Sequence, residues 1–301
     1  MERSPVDLMP KKQLIGYITT WIAAFVLMTA SILALEYDGI KTRFNTLGNN
    51  LAEQAARQLK VQQTGLESFT HSLSTQPGLN PALARETAES LIKYSPNLYM
   101  FAIASRVGAD QRESFEQRMS TEESRGFRIQ PPADAADART DLYPVVLLIP
   151  ERPEARMLLG MDLAHQPSVL SGRLSGKVAP EGMSKPIMLG DGPGYLLYQA
   201  LDLPHSQAAG AKPQTYAHYA LLAVSAQTLF APQLMDEPGL SLQLVYPGST
   251  TEARTVLFEH RNEPGLPLPI PSFERTLKLN QHDTTLSLQI RYQPGWQVLN
   301  H

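Results

Sequence analysis

The stretch LIGYITTWIAAFVLMTASILAL, Leu14 to Leu35, is uncharged throughout, with Lys11 and Lys12 before it and Glu36 and Asp38 after it. At about 1.5 Å per residue, a helix of this length crosses a hydrocarbon core of roughly 30 Å. Tyr17 and Trp21 stand on its N-terminal side, where amphipathic rings anchor at the interface. A cleaved signal peptide is the rival reading, but its apolar stretch runs to only about 7–15 residues before a small-x-small site. Here Ile32 stands where the other small residue of a site ending at Ala34 is needed. Arg3, Lys11 and Lys12 crowd the short N-terminal flank, whereas Lys41 and Arg43 beyond the span are mixed with acids. The expected topology is therefore a single-pass inner-membrane protein with residues 1–13 in the cytoplasm, an anchor over 14–35 and residues 37–301 in the periplasm.

Working outward from the anchor, Phe44, Leu47, Leu51, Ala55, Leu59, Leu66, Phe69 and Leu73 recur at spacings of three and four, skipping one turn at Gln62 and Gln63. This predicts a stalk helix over 37–76, weakened locally by Gly48 and Gly65. Its apolar stripe can pack on the domain, on a second copy, or on both; self-association through residues 44–73 is the expectation. Gln76-Pro77-Gly78 ends the helix, and Asn80-Pro81 reads as an N-cap and first position of a shorter one reaching about Lys93.

Beyond it the pattern predicts a strand over 98–104 and a polar helix over 110–125 burying little besides Phe115 and Met119. Short strands follow at 127–129, 143–149 and 157–159, with a loop over 133–141. The character changes near Pro186. Strands are then expected at 187–189, 195–201, 216–224, 240–245, 256–259 and 286–292, with a helix over 226–235. Strands mixed with a few helices, without regular strand–helix alternation, indicate an α+β fold with antiparallel sheets. The expected division is 77–185 and 186–301.

Composition narrows the function. A net charge of -3 gives no cation excess for a phosphate backbone, so nucleic acid is not an expected partner. The absence of cysteine removes disulfides, thiolate metal sites and thiol catalysis. No pair of histidines is spaced for a metallohydrolase helix. Gly190-Asp191-Gly192-Pro193-Gly194 lacks the lysine and hydroxyl of a phosphate loop and reads as a turn between strands. Ser90-Leu91-Ile92-Lys93 matches Ser-x-x-Lys without the elements that accompany it in acyl-transfer enzymes. Glu151, Asp162 and Asp191 have no partner evident in the sequence. Neither an enzymatic activity nor a cofactor is expected.

One ordered set of short motifs is more specific. Ser114-Phe115-Glu116 is followed by Arg125-Gly126-Phe127-Arg128-Ile129, then by Leu142-Tyr143-Pro144-Val145 with Pro150, then by Gly160-Met161-Asp162-Leu163. His165-Gln166-Pro167, Arg173 and Ala179 come after. In this order, just outside a membrane span, the set resembles the CHASE domain, the extracytoplasmic sensory module associated with cyclases and histidine kinases. The resemblance implies a long membrane-proximal helix carrying two PAS-like subdomains, a small molecule bound in the membrane-distal one, and dimerisation through the long helices.

Family members commonly continue through a second span into a cytoplasmic output domain, and no such apolar run follows residues 286–292 here. The expectation is a sensory subunit acting through a membrane protein partner, the alternative being a structural subunit of an envelope complex.

The residues themselves suggest roles. Phe127 and Ile129 alternate onto one face, and Pro144 suits a strand start. Gly160 allows a tight turn, and Asp162 is placed to cap a following helix. Tyr143, an aromatic face with a hydroxyl, is the leading candidate for contact with a small organic ligand, with Phe127 and Asp162 beside it. Phe115, Gly126, Ile129, Pro144, Val145, Pro150 and Gly160 are expected to hold the fold.

Overall fold

The computed structural model describes residues 11–296 apart from 77, 96, 123–125, 131–140, 164–179, 191, 202–217, 231–235, 248–253, 269 and 283. Its spine is one unbroken helix, α1 (Lys11–Ser74), of 64 residues. Anchor and stalk are thus the same element, about 95 Å long. Its described residues from Ile15 to Gly39 are all exposed, Trp21, Phe25 and Leu35 among them. Its apolar part is long enough to cross a bilayer and suits a lipid surrounding. The hydroxyls within the span bond back to the helix, Thr29 to Phe25 O at 2.8 Å and Ser31 to Leu27 O at 2.9 Å, so they present no unsatisfied donor to hydrocarbon.

Past the membrane the stripe meets its own chain. Ile40, Phe44, Leu51, Ala55, Leu59, Leu66, Phe69 and Leu73 are all at most 6% exposed within one protomer. The expectation that this stripe serves self-association is corrected: intramolecular packing consumes it. Gly65 is a contact point as well as a weak helix former, since a Cβ there would press on the Leu98 side chain at 3.0 Å.

The turn after α1 leads into α2 (Pro81–Tyr94), whose N-cap Asn80 accepts from Ala82 N at 3.0 Å and Leu83 N at 3.2 Å. Strand β1 (Met100–Ser105), a 3-10 turn at Ala109–Gln111, α3 (Arg112–Glu122) and strand β2 (Val145–Ile149) follow. Then come β3 (Glu181–Met183), β4 (Ile187–Leu189), β5 (Gly192–Leu201) and β6 (His218–Ser225). These strands form one antiparallel sheet in the order β2-β1-β6-β5-β3, with β4 paired to the start of β5. A second antiparallel sheet, ordered β8-β7-β10-β9, contains β7 (Leu240–Tyr246), β8 (Thr255–Arg261), β9 (Phe273–Gln281) and β10 (Thr284–Tyr292).

The division expected at Pro186 therefore falls inside the first sheet. β5 and β6 complete it because β6 pairs with β1 along its length, from Met100↔Ala223 to Ser105↔His218. The strand expected at 157–159 is part of a 3-10 turn, Pro153–Leu158, and the helix expected over 226–235 is a 3-10 turn at Ala226–Leu229 where it is described. Strands β3 and β9 were not expected. The loop expected over 133–141, apart from Asp141, lies outside the described residues.

The sheets meet α1 at different heights. Near the membrane, Phe44 lies 5.7 Å from the Phe273 ring and 6.2 Å from that of Tyr292, and Arg275 donates to Asn49 Oδ1 at 2.9 Å. Farther out, the Phe69 ring packs at a tilt of 38° against Phe101 of β1, 4.6 Å between centroids. Leu66 is about 45 Å along the helix from Leu35. The first sheet is thus the membrane-distal one, and every β1 and β2 residue in it is buried.

Candidate functional site

The ordered motifs meet in space. On α3, Phe115 packs edge-on against Phe127 at 6.1 Å, while Glu116 Oε1 accepts from the Ile129 backbone N–H at 3.0 Å. Arg112 donates to the same Glu116 oxygen at 3.0 Å and to the Ile129 carbonyl at 2.7 Å, and Ser120 donates to the Phe127 carbonyl at 3.2 Å. Residues 127–129 are consequently an extended segment pinned by helix side chains, not the ladder strand expected. Gly126 turns into it with φ of +82°.

Gly160 adopts φ of +77°, and a Cβ there would collide with the Arg128 carbonyl oxygen. The close approach lets Gln130 N donate to Gly160 O at 2.8 Å and Gly160 N to Val145 O at 2.8 Å. Pro144 sits at the start of edge strand β2, bridged to Asp162, and Pro150 closes that strand. Asp162, 2% exposed, accepts the Tyr143 backbone N–H on Oδ1 at 2.7 Å. That bond staples the approach to β2 onto the segment after Gly160. The helix that Asp162 was expected to cap lies, with His165, Pro167, Arg173 and Ala179, outside the described residues.

Two of the three expected ligand contacts therefore adjoin one another and the third does not. Tyr143 faces the sheet surface turned away from α1, whereas Phe127 belongs to the apolar cluster on the α1 side. Phe127 there lines a cleft of about 590 Å³ whose rim carries Arg85, Arg128, Arg156 and Glu151.

The face carrying Tyr143 has a distinct chemistry. Ala102 and Ala104 of β1 and Ala223 of β6 keep its centre low, and aromatic rings fill the space above. Tyr143 meets Tyr219 edge-on at 5.5 Å, and Tyr219 meets Tyr198 at 6.4 Å, giving a row of three rings across the sheet. Tyr198 covers Gly182 on β3, where any side chain would strike its ring. Arg152 lies 4.4 Å over the ring of Tyr99, and Ala155, Leu158, Met161 and Leu163 close over part of the face. Burial raises the Tyr143 hydroxyl above its ordinary pKa; Arg106 opposes the rise, and Asp141 and Asp162 add to it. The phenol is thus neutral at neutral pH, able both to donate and to accept. Of the three rings Tyr143 is the most accessible, at 8% exposure against 2% for Tyr198 and 1% for Tyr219.

Sequence reasoning missed Tyr198 and Tyr219. Their signal lies in strand alternation: each occupies the same face as Ala102 and Ala104, which only the pairing of β5 with β6 and of β6 with β1 brings together. Among the described residues no cluster of three metal-ligating side chains occurs.

The family model for the CHASE domain matches residues 82–258. No curated protein matches the chain significantly. A solved structure described as a methyl-accepting chemotaxis protein X covers 87% of this chain and 99% of its own, with 9% identity and a TM-score of 0.40.

Proposed function

The chain belongs to the CHASE domain family of non-catalytic extracytoplasmic sensory modules, and from that premise we propose that its tyrosine-lined sheet face receives a small organic ligand and that α1 carries the effect to the membrane. The module is anchored by α1 in the inner membrane, exposes its sensory part to the periplasm, and signals through a partner. The finer reading is a pair of PAS-like units, one around the first sheet (100–225) and one around the second (240–292), in place of the division near Pro186.

A single observation carries the coupling. Residues 55–73 of α1 belong to the core beneath the ligand-side sheet, and the same unbroken helix is the membrane span. A helix without a break transmits displacement along its axis with little loss. Any shift of β5 or β6 against α1 is thereby referred to the anchor. The polar face of α1, where Asn49, Glu53, Lys60 and Thr64 are exposed, stays open to a second copy.

The test uses the full-length chain purified in lipid nanodiscs, denatured, and examined by mass spectrometry for released small molecules. The wild type should release a stoichiometric organic species, or gain thermal stability from a member of an aromatic-compound library. The Tyr143→Phe/Tyr219→Phe double variant keeps the rings and loses the hydroxyls, and should lose either effect while remaining folded by circular dichroism. Neither release nor stabilisation in the wild type, or an identical response in the double variant, would overturn the assignment of this face.

A further inference from the structure

A second cavity, of about 360 Å³, opens on the other side of the first sheet, between the entry to α2, the end of β1 and α3. Its size lies within the range of small-ligand sites. Leu79, Val107, Phe115, Met119, Val146 and Leu147 give it apolar walls, all of them part of the cluster on the α1 side. It shares no residue with the tyrosine row.

Its polar side chains are either neutral, namely Ser105, Gln111 and His218, or arginines. Inside, Ser105 Oγ and His218 Nδ1 lie 3.0 Å apart. Burial lowers the His218 pKa, so the imidazole is neutral at pH 7 and the pair offers hydrogen bonds without charge. At the rim are Arg106 and Arg118. Arg106 is engaged by Asp141, with its guanidinium 2.7 Å from Oδ2. Arg118 is exposed, with its guanidinium 5.3 Å over the Phe115 ring. The cavity lining itself contains no acid.

This combination selects among ligand classes. A cation meets two arginines and no carboxylate among the lining residues. An inorganic anion satisfies Arg118 but leaves the apolar walls facing water. A neutral hydrocarbon covers the walls and gains nothing from the guanidinium. A flat apolar body bearing one carboxylate uses both, its ring against Phe115 and Met119 and its charge paired bidentately with an arginine. We propose that this cavity is a second ligand site, independent of the tyrosine face, for a small aryl carboxylate whose acid group is held by Arg118. Such a ligand would tie α3 to the edge of the first sheet and so add to the same framework that α1 reads.

The experiment follows the 19F NMR signal of 4-fluorophenylacetate in the presence of the full-length chain in nanodiscs, with empty nanodiscs as reference. The wild type should broaden the signal saturably. Arg118→Gln, a change at an exposed side chain, should weaken binding at least tenfold, and so should replacing the probe by uncharged 4-fluorophenylacetamide. Met119→Trp should fill the cavity and abolish binding; if that variant does not fold, the Arg118→Gln and amide comparisons decide alone. Tyr143→Phe/Tyr219→Phe should bind the probe as the wild type does, which separates this site from the tyrosine face. No saturable broadening by the wild type, equal binding by Arg118→Gln, equal binding of acid and amide, or loss of binding in the double tyrosine variant would each overturn the proposal.

Discussion

The Tyr195 hydroxyl donates a hydrogen bond to Gln62 Oε1 at 2.9 Å, joining β5 to α1 where both residues are fully buried. Burial drives the Tyr195 pKa far above its ordinary value, so this group remains a donor at any pH the protein meets. Gln62 occupies the turn at which the apolar stripe of α1 is interrupted. Its Nε2 is buried and has no hydrogen-bond partner among the described residues. A leucine at that position would fill the core without this cost. The bond ties β5 to one height along the helix that enters the membrane.

Tyr195→Phe should therefore destabilise the protein by about 1–3 kcal/mol, because it strands the second polar atom of a buried amide. The double variant Gln62→Leu/Tyr195→Phe removes both partners and should recover most of that loss. Chemical denaturation of the wild type, both single variants and the double variant measures the coupling. A double variant no more stable than Tyr195→Phe would show that the pair is not an isolated polar contact in an apolar interface.

Leu51→Glu and Leu59→Glu distinguish a buried stripe from a dimer seam. Leu51 is 0% and Leu59 3% exposed inside a single chain. Each substitution places a carboxylate in the core and should cost more than about 3 kcal/mol. Loss of the near-ultraviolet circular dichroism signal and rapid proteolysis between the two sheets are the expected outcomes. Substitutions at exposed Glu53 and Lys60 on the opposite face should leave the fold intact. A folded, monomeric Leu51→Glu protein would instead return the stripe to the dimer interface.

Periodicity made α1 legible, because a long helix with one apolar face repeats the same signal many times. The Asn80-Pro81 cap was legible for a local reason, being complete within a few residues. The division of the exported part was not. Its sheet is assembled from β1 and from β5 and β6 a hundred residues later, and no local pattern in Tyr195–Leu201 states which earlier strand will pair with it. β9 was missed because its outward positions are Glu274, Thr276, Lys278 and Asn280, leaving few apolar residues to mark the alternation.

The motif residues were recognisable as a set, but their roles depended on partners far away in sequence. Glu116 acts on Ile129, Gly160 on Arg128, and Asp162 on Tyr143. Phe127 and Tyr143 could be selected as aromatic residues near strands; which side of a sheet each would face was not available until the strands were ordered.

His218 supplies the last prediction, through its environment at the end of β6. Burial lowers its pKa below the ordinary value near 6.5, and Ser105 holds its Nδ1 at 3.0 Å. Below about pH 6.5 the unfolded chain takes up a proton at this histidine while the folded chain does not, so protons favour unfolding. The stability that His218 contributes is thus complete above the unfolded-state pKa, declines as pH falls below it, and stops declining once pH has passed the folded-state pKa. Carboxylates elsewhere also titrate in acid, so the comparison has to be with His218→Gln, which keeps a hydrogen-bonding group near Ser105 and cannot be protonated. The Tm difference between wild type and variant should be constant from about pH 7.5 to pH 7, then shift against the wild type toward pH 5. Parallel Tm profiles over the whole range would show that His218 is equally easy to protonate in both states, and a difference that moved in the wild type's favour on acidification would place a carboxylate beside the imidazole.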